Sequence, residues 1–176
     1  ELRAFNGLYA LDYALDGHLI YGAFGGGIAV NENHRLETPS QVSVGGVVLQ
    51  VAISGSGKQV VALINENEES NPEWGKHSIT GFELEQGLIS PLSFEQIDFN
   101  ISCLAATQSG TRNWLAIGAM DAAQLSIIDL NAHRCDVIYE SNVIDTVGIT
   151  TVCFSDDETS VYCGLKDGRV MELRLE

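Results

Sequence analysis

Residues 149–175 read ITTVCFSDDETSVYCGLKDGRVMELRL and contain three runs of β-branched and aromatic residues. The polar residues 155–158 (SDDE) separate the first run from the second, and residues 166–168 (KDG) separate the second run from the third. Short apolar runs that are bounded by such turns are typical of strands joined by hairpins. The stretch therefore predicts a three-stranded antiparallel meander.

The same pattern occurs three more times upstream. Each copy has an apolar run, a polar or glycine-bearing turn, a second apolar run, a loop and a third run. Equivalent positions are 40, 53 and 48 residues apart, and the longest step contains an insertion at residues 65–77 (NENEESNPEWGKH). Without the insertion the period is about 40–48 residues, close to that of one propeller family. Three apolar positions set the register of the copies: Leu8, Val48, Ile101 and Ile149; Leu11, Val51, Leu104 and Val152; Tyr13, Ile53, Ala106 and Phe154.

In this period and strand order the chain resembles the WD-repeat β-propeller family over nearly its whole length. The Trp-Asp pair of the family closes the third strand of a blade, and Ile128-Asp129 is the closest match here. The Gly-His pair that precedes the first strand in the family is missing from every copy. Asp167 matches the tight-turn acid before the third strand, and Asp121 is a second candidate for it. Kelch-like and other propellers remain alternatives.

The resemblance implies an all-β fold, a β-propeller built of four-stranded antiparallel blades. Propellers seldom have as few as four blades, so we expect the chain to be part of a larger ring of seven or eight. The last copy ends after its third strand, and residues 1–6 are expected to supply the closing outer strand, because an open sheet edge invites aggregation. The predicted blades are residues 7–45, 46–99, 100–141 and 148–176. The predicted outer strands lie within residues 41–44, 92–99 and 135–140.

The formal net charge is −15, from 9 lysines and arginines against 24 aspartates and glutamates. Such an acidic surface repels phosphate backbones and anionic lipid headgroups, which argues against direct binding to nucleic acid or to a membrane. We expect a basic partner instead, and the alternative is that the charge only keeps the domain soluble. The longest apolar stretch, residues 19–30, is too short and too rich in glycine to span a bilayer.

The cysteines indicate a reducing compartment. No C-x-x-C motif occurs, so a zinc site of the usual spacing is not expected. Cys103, Cys153 and Cys163 lie in predicted strands and are interpreted as buried free thiols, which suits the cytoplasm or the nucleus. The alternative is that Cys153 and Cys163 face each other across their hairpin. The chain begins at Glu1 rather than Met, so it is expected to be a piece of a longer protein, and the missing signal peptide says little about targeting.

Two glycine-rich stretches are similar to nucleotide-binding loops without matching them. Residues 22–27 (GAFGGG) are followed by a predicted strand, whereas a dinucleotide loop opens a helix. Residues 55–58 (GSGK) lack the first glycine and the final Ser or Thr of a phosphate-binding loop, since Ala52 and Gln59 occupy those positions. Both stretches are interpreted as hairpin turns. The spacing of histidines and carboxylates predicts no catalytic residue, no metal site and no cofactor.

The resemblance implies that the link between the second and third strands of each blade emerges on one face of the ring, the top face. The insertion lies in such a link and places one aromatic residue among several acids, as in a binding loop with an aromatic anchor and a charged rim. The alternative is a solvated excursion whose tryptophan folds back on its own blade. The predicted partner-binding residues are Trp74, Glu68, Glu69, Glu73, Phe24, Met120 and Lys166.

The resemblance implies a non-catalytic scaffold for protein–protein interaction. It would bind a protein or peptide through its top-face loops as a subunit or domain of a multiprotein complex. One alternative is a propeller-type enzyme with a central metal and carboxylates, for which Asp12 is the one acid in the innermost strands. A second alternative is a half-propeller that assembles with another copy into a full ring.

Overall fold

The structure is a computed structural model of the 176-residue chain. It describes residues 8–14, 17–23, 26–31, 40–66, 77–85, 88–94, 100–109, 111–131, 134–135, 137–140 and 147–175. Within those ranges all regular structure is β-strand, and no helix has the length and hydropathy needed to cross a membrane. The chain divides into two compact units, residues 1–92 and 93–176.

The first unit is built from two antiparallel sheets, with the strand orders β1-β2-β3-β4 and β5-β6-β7-β8. The last two residues of β8 belong to the second unit. β6 is buried along its whole length, because strands flank it on both sides and its sequence, QVVALIN, is largely aliphatic. The strands are β1 (Leu8–Tyr13), β2 (Leu19–Ala23), β3 (Gly27–Asn31), β4 (Ser40–Ser43), β5 (Val47–Ile53), β6 (Gln59–Asn65), β7 (His77–Glu85) and β8 (Leu88–Phe94).

The second unit also holds two antiparallel sheets. Their orders are β9-β10-β11-β13 and β14-β15-β16, and the short β12 pairs in parallel with Ser93 and Phe94. The last sheet therefore has three strands among the described residues, as the meander of residues 149–175 predicts. The strands are β9 (Ile101–Ala106), β10 (Trp114–Ala119), β11 (Leu125–Asp129), β12 (Arg134–Cys135), β13 (Val137–Glu140), β14 (Ile149–Phe154), β15 (Ser160–Leu165) and β16 (Val170–Arg174).

One irregularity recurs in the first strand of each of the four described sheets. A residue near the start of that strand, the second residue in β1, β9 and β14 and the third in β5, is skipped in the pairing with the second strand, which is a β-bulge. The skipped residues are Tyr9, Leu49, Ser102 and Thr150. These are equivalent positions of the sequence repeat. The shared bulge confirms that the four sheets are copies of one module.

A glycine in the second strand lets neighbouring sheets approach within each unit. In the first unit, a Cβ added to Gly22 would collide with Cγ1 of Val48 in the next sheet. In the second unit, a Cβ added to Gly118 would lie 2.7 Å from Cγ2 of Ile149 in the next sheet. Gly22 and Gly118 are equivalent in the repeat, as are Val48 and Ile149. Both units therefore use the same close contact between adjacent sheets.

Each unit has its own apolar core between its two sheets. In the first unit the core includes Ile20, Ile28, Val48, Val51, Ile53, Val60 and Ile64. In the second it includes Cys103, Leu125, Ile127, Ile149, Val152, Val161 and Cys163. Burial of aliphatic side chains at about 25 cal/mol per Å² is the main stabilising contribution of such a core.

Two predicted outer strands are corrected by the structure. The outer strand of the second sheet is Leu88–Phe94 rather than part of residues 92–99, because Leu88–Leu92 pair with Gly81–Glu85 of β7. Pro91 does not prevent this pairing, since a proline is tolerated in an outer strand. The stretch predicted as one strand at residues 135–140 is divided between β12 and β13, because β11 provides partners only for Val137–Glu140.

Two further expectations are left open. Residues 1–6, the predicted closing strand, lie outside the described residues. The assignment of residues 1–176 to one portion of a propeller, with the stated blade boundaries, also stays a prediction.

Candidate functional site

Met120 and Lys166 occupy equivalent positions just after the second strands of neighbouring sheets in the second unit. The amide of Met120 donates a hydrogen bond to the carbonyl of Asn100 (2.7 Å), and the amide of Lys166 donates to the carbonyl of Gly148 (2.9 Å). Asn100 Nδ2 also contacts Met120 Sδ at 3.6 Å. Each link is therefore tied to the start of the first strand of its own sheet.

Gly148 brings these two links together. A Cβ added to Gly148 would collide with the carbonyl oxygen of Met120 and lie 3.1 Å from Lys166 Cε. Met120 is half-buried and Lys166 is exposed. The structure thus places two of the predicted partner-binding residues side by side at one end of the unit.

The turn that follows Lys166 is held by its own side chains. Asp167 Oδ1 accepts a hydrogen bond from the amide of Arg169 (3.1 Å), and Asp167 Oδ2 pairs with Arg169 Nε at 2.6 Å. Gly168 has a φ of +86°, which favours glycine, and its amide donates to the carbonyl of Leu165 (3.0 Å). The ion pair is exposed and adds little to stability, but together these contacts fix the direction in which the link leaves β15.

Of the insertion at residues 65–77, the structure describes only residues 65, 66 and 77. Asn65, the last residue of β6, pairs with His77, the first residue of β7, and both are buried. The two ends of the insertion are therefore paired with each other in the sheet. The predicted residues Phe24, Glu68, Glu69, Glu73 and Trp74 lie outside the described residues, and their part in partner binding stays a prediction.

Asp12 joins the first strands of the two sheets in the first unit. Its Oδ2 accepts a hydrogen bond from the amide of Ile53 in β5 (2.9 Å), and its Oδ1 accepts one from the amide of Tyr13 (2.9 Å). Burial raises the pKa of Asp12, and the two backbone hydrogen bonds oppose that rise. Oδ2 thus joins β1 to β5, whereas Oδ1 is engaged within β1.

Glu158 is a buried residue that connects two sheets by hydrogen bonds, and the apolar pattern of the sequence does not predict it. Its side chain accepts hydrogen bonds from the amide of Ser109 (2.7 Å) and from the hydroxyl of Ser109 (2.6 Å). Arg112 Nη1 donates to the carbonyl of Glu158 (2.9 Å). The β14–β15 turn is thereby joined to the β9–β10 turn. One signal in the sequence points to this residue, because the equivalent positions in the other copies are glycine: Gly17, Gly57 and Gly110.

The described cysteines divide into two environments. Cys103 and Cys163 are buried free thiols, as predicted, whereas Cys153 is an exposed one. Burial raises the pKa of Cys103, and burial together with the neighbouring Cys103 and Cys153 raises the pKa of Cys163 to about 12. The alternative that Cys153 and Cys163 face each other is wrong, because Cys153 pairs with Tyr162 while Cys163 pairs with Val152, which puts the two thiols on opposite faces.

No metal centre was predicted from the sequence. Among the residues that the structure describes, no group of three or more His, Cys, Asp or Glu side chains is arranged to hold a metal ion.

Comparison with known proteins identifies the fold. No family model and no curated protein sequence matches the chain. Among solved structures, the chain is similar to the β-propeller domain of Cps50 (Swd1) from Myceliophteria thermophila, with a TM-score of 0.73 and 14% identity. The similarity covers 99% of this chain and 55% of that chain, so the chain spans about half the length of that structure. At this level of identity the comparison shows the fold, and it confirms the predicted all-β propeller.

Proposed function

We propose that the chain is a non-catalytic interaction scaffold that binds a protein or peptide through its top-face links. The observation that carries this proposal is the contact around Gly148, which sets Met120 beside the exposed Lys166 at one end of two neighbouring sheets. A rigid sheet scaffold that presents loops is a common arrangement for binding. The similarity to a β-propeller domain supports the same interpretation.

The expected partner is basic, and the expected setting is a multiprotein complex in the cytoplasm or the nucleus. The net charge of −15 attracts a cationic surface and speeds its association. The buried thiols of Cys103 and Cys163 support a reducing compartment. A complete ring of seven or eight blades, of which this chain forms part, is included in the proposal and is supported by the 55% coverage of the similar structure.

The alternative of an enzyme with a central carboxylate is less well supported. Asp12 is its one candidate in the innermost strands, and both oxygens of that carboxylate accept backbone hydrogen bonds. The alternative of self-assembly into a full ring would appear as a dimer in solution.

The test begins with affinity purification from the native source, identification of the partner by mass spectrometry and reconstitution with the purified partner. We expect Trp74→Ala to weaken binding at least about tenfold, as for a buried aromatic anchor. Lys166→Ala should cause a smaller loss, because it removes only the contact area of the aliphatic part of the lysine side chain. Thr111→Ala is the matched control, since Thr111 is exposed in the β9–β10 turn at the opposite end of its sheet. Binding that is unchanged by both top-face substitutions would rule the proposal out.

A further inference from the structure

The link between β10 and β11 presents one acidic side chain, Asp121, directly after Met120. The link is held at both ends, because the amide of Met120 donates to the carbonyl of Asn100 (2.7 Å) and Ala123 is fully buried in the core of the second unit. Asp121 is exposed, and in the part of the chain that the structure describes its carboxylate has no hydrogen-bond or ion-pair partner. The link therefore holds a carboxylate that is available to a ligand.

The equivalent acid of the next sheet is already engaged. Asp167 occupies the same place in the β15–β16 link, but its carboxylate accepts a hydrogen bond from the amide of Arg169 (3.1 Å) and pairs with Arg169 Nε at 2.6 Å. The β10–β11 link has no such cation, because residues 122–124 read AAQ. Of these two equivalent acids, Asp121 is therefore the one whose charge is left for a cation from another molecule.

An apolar side chain and a cation accompany Asp121. The side chain of Met120 is half-buried, with its Sδ 3.6 Å from Asn100 Nδ2, and a thioether adapts to apolar side chains of different shape. A Cβ added to Gly148 would collide with the carbonyl oxygen of Met120 and lie 3.1 Å from Cε of the exposed Lys166. A ligand that packs on Met120 therefore comes near a carboxylate and an exposed lysine.

We propose that Asp121 binds a lysine or arginine side chain in a basic segment of the partner protein, while a neighbouring apolar residue of that segment packs on Met120. This inference rests on the proposed scaffold function and adds a specificity-determining residue to it. The net charge of −15 attracts a basic segment, and Asp121 provides a defined point of contact for it. Lys166 repels cations, which directs the cationic side chain to Asp121.

The probe is a blocked seven-residue peptide of glycine and serine with a leucine followed by an arginine at its centre. The chain has two methionines, Met120 and Met171, so ¹³C labelling of their methyl groups gives one NMR signal at the site and one on β16 as an internal reference. We expect the peptide to cause a saturable shift of the Met120 signal and no shift of the Met171 signal.

A second peptide, with citrulline in place of arginine, isolates the charge, because citrulline has a similar shape and is neutral. It should bind about threefold more weakly than the arginine peptide, which is the effect of an exposed ion pair. The difference should shrink at high salt concentration, since the pair is exposed to solvent.

Asp121→Asn tests the carboxylate of the protein. It should abolish the difference in affinity between the two peptides, while both still shift the Met120 signal. Asp156→Asn is the matched control, because Asp156 is exposed in the β14–β15 turn, at the opposite end of its sheet from Lys166, and the substitution changes the net charge by the same amount. This control should leave the difference in affinity unchanged.

Three outcomes would overturn the proposal. These are a Met120 signal that does not shift, equal binding of the two peptides to the unaltered protein, and loss of the difference in Asp156→Asn as well as in Asp121→Asn, which would mean that only the overall charge matters. The comparison of the two peptides uses the unaltered protein and therefore remains decisive if Asp121→Asn does not fold.

Binding of the purified partner separates this inference from the scaffold function. Asp121→Asn should weaken that binding about threefold or more. If Trp74→Ala and Lys166→Ala weaken it and Asp121→Asn does not, the role of Asp121 is wrong and the scaffold function stands. If none of the three substitutions weakens it, both are wrong.

Discussion

Glu158 has a strained backbone conformation, and its side chain accepts two hydrogen bonds from Ser109. Its φ of 56° lies in the left-handed region, where a non-glycine residue costs roughly 1–2 kcal/mol. The equivalent Gly17 and Gly57 have positive φ values of 97° and 70° without that cost. Hydrogen bonds to a carboxylate contribute about 1.5–3 kcal/mol each, so the two bonds from Ser109 offset the strain.

Two substitutions separate these effects. Glu158→Ala keeps the strain and loses both bonds from Ser109, and we expect it to lower the free energy of unfolding by about 2–4 kcal/mol. Glu158→Gly loses the same bonds but relieves the strain, so its loss should be about 1 kcal/mol smaller. Urea denaturation of both variants measures the difference. Equal destabilisation by the two substitutions would contradict this account of the turn.

Asp157 predicts a pH dependence of stability. Hydrogen bonds from Ser155 and then Thr159 lower its pKa from 3.8 to about 2. Because the folded protein favours the ionised form, the contribution of Asp157 is present above the unfolded pKa and is lost as the pH falls from about 4 to 2. The gap in unfolding free energy between the wild type and Asp157→Asn should be constant near neutral pH and shrink across that range. A gap that stays constant down to pH 2 would show that the native hydrogen bonds do not favour the ionised form.

The strands were predictable where apolar runs alternate with clear turn signals. β14, β15 and β16 follow from such a pattern, and the repeat extends it to the other sheets. The outer strand β8 was predicted too far along the chain, because Pro91 interrupts its apolar run. A proline is tolerated in an outer strand, but the sequence does not show which strand is the outer one. β12 has two residues, which is too short to leave a periodic signal.

The site was predictable only in part, for a related physical reason. Met120 and Lys166 follow from their position after the second strand of each copy. Glu158 does not, because its role depends on a backbone φ and on a serine 49 residues away, neither of which affects apolar periodicity. The sequence gives one signal of this role: Glu158 stands at a position where the other three copies have glycine.

The close contact between sheets predicts a steric effect at Gly118. Gly118→Val would force a side chain against Ile149 Cγ2, 2.7 Å from the added Cβ, and against Cys103 Sγ, 2.8 Å from it. Overpacking of this kind costs about 1–3 kcal/mol. Chemical denaturation measures the loss, and Gly164→Ala is a milder comparison, since its nearest contact is a threonine methyl group of its own sheet. A Gly118→Val protein as stable as the wild type would mean that the two sheets pack less closely.

For the whole chain, the repeated sheet explains why equivalent links recur along the sequence. Every copy has the same bulge in its first strand and the same link after its second strand, so equivalent loops occur once per copy. The insertion of residues 65–77 lengthens one link of the first unit. The net charge of −15 supports the proposed basic partner.

Amide hydrogen exchange followed by NMR tests the repeated sheet. β2, β6, β10 and β15 have strands on both sides, so every amide in them should exchange slowly. Fast exchange at alternate amides of any of those four strands would contradict the repeated sheet.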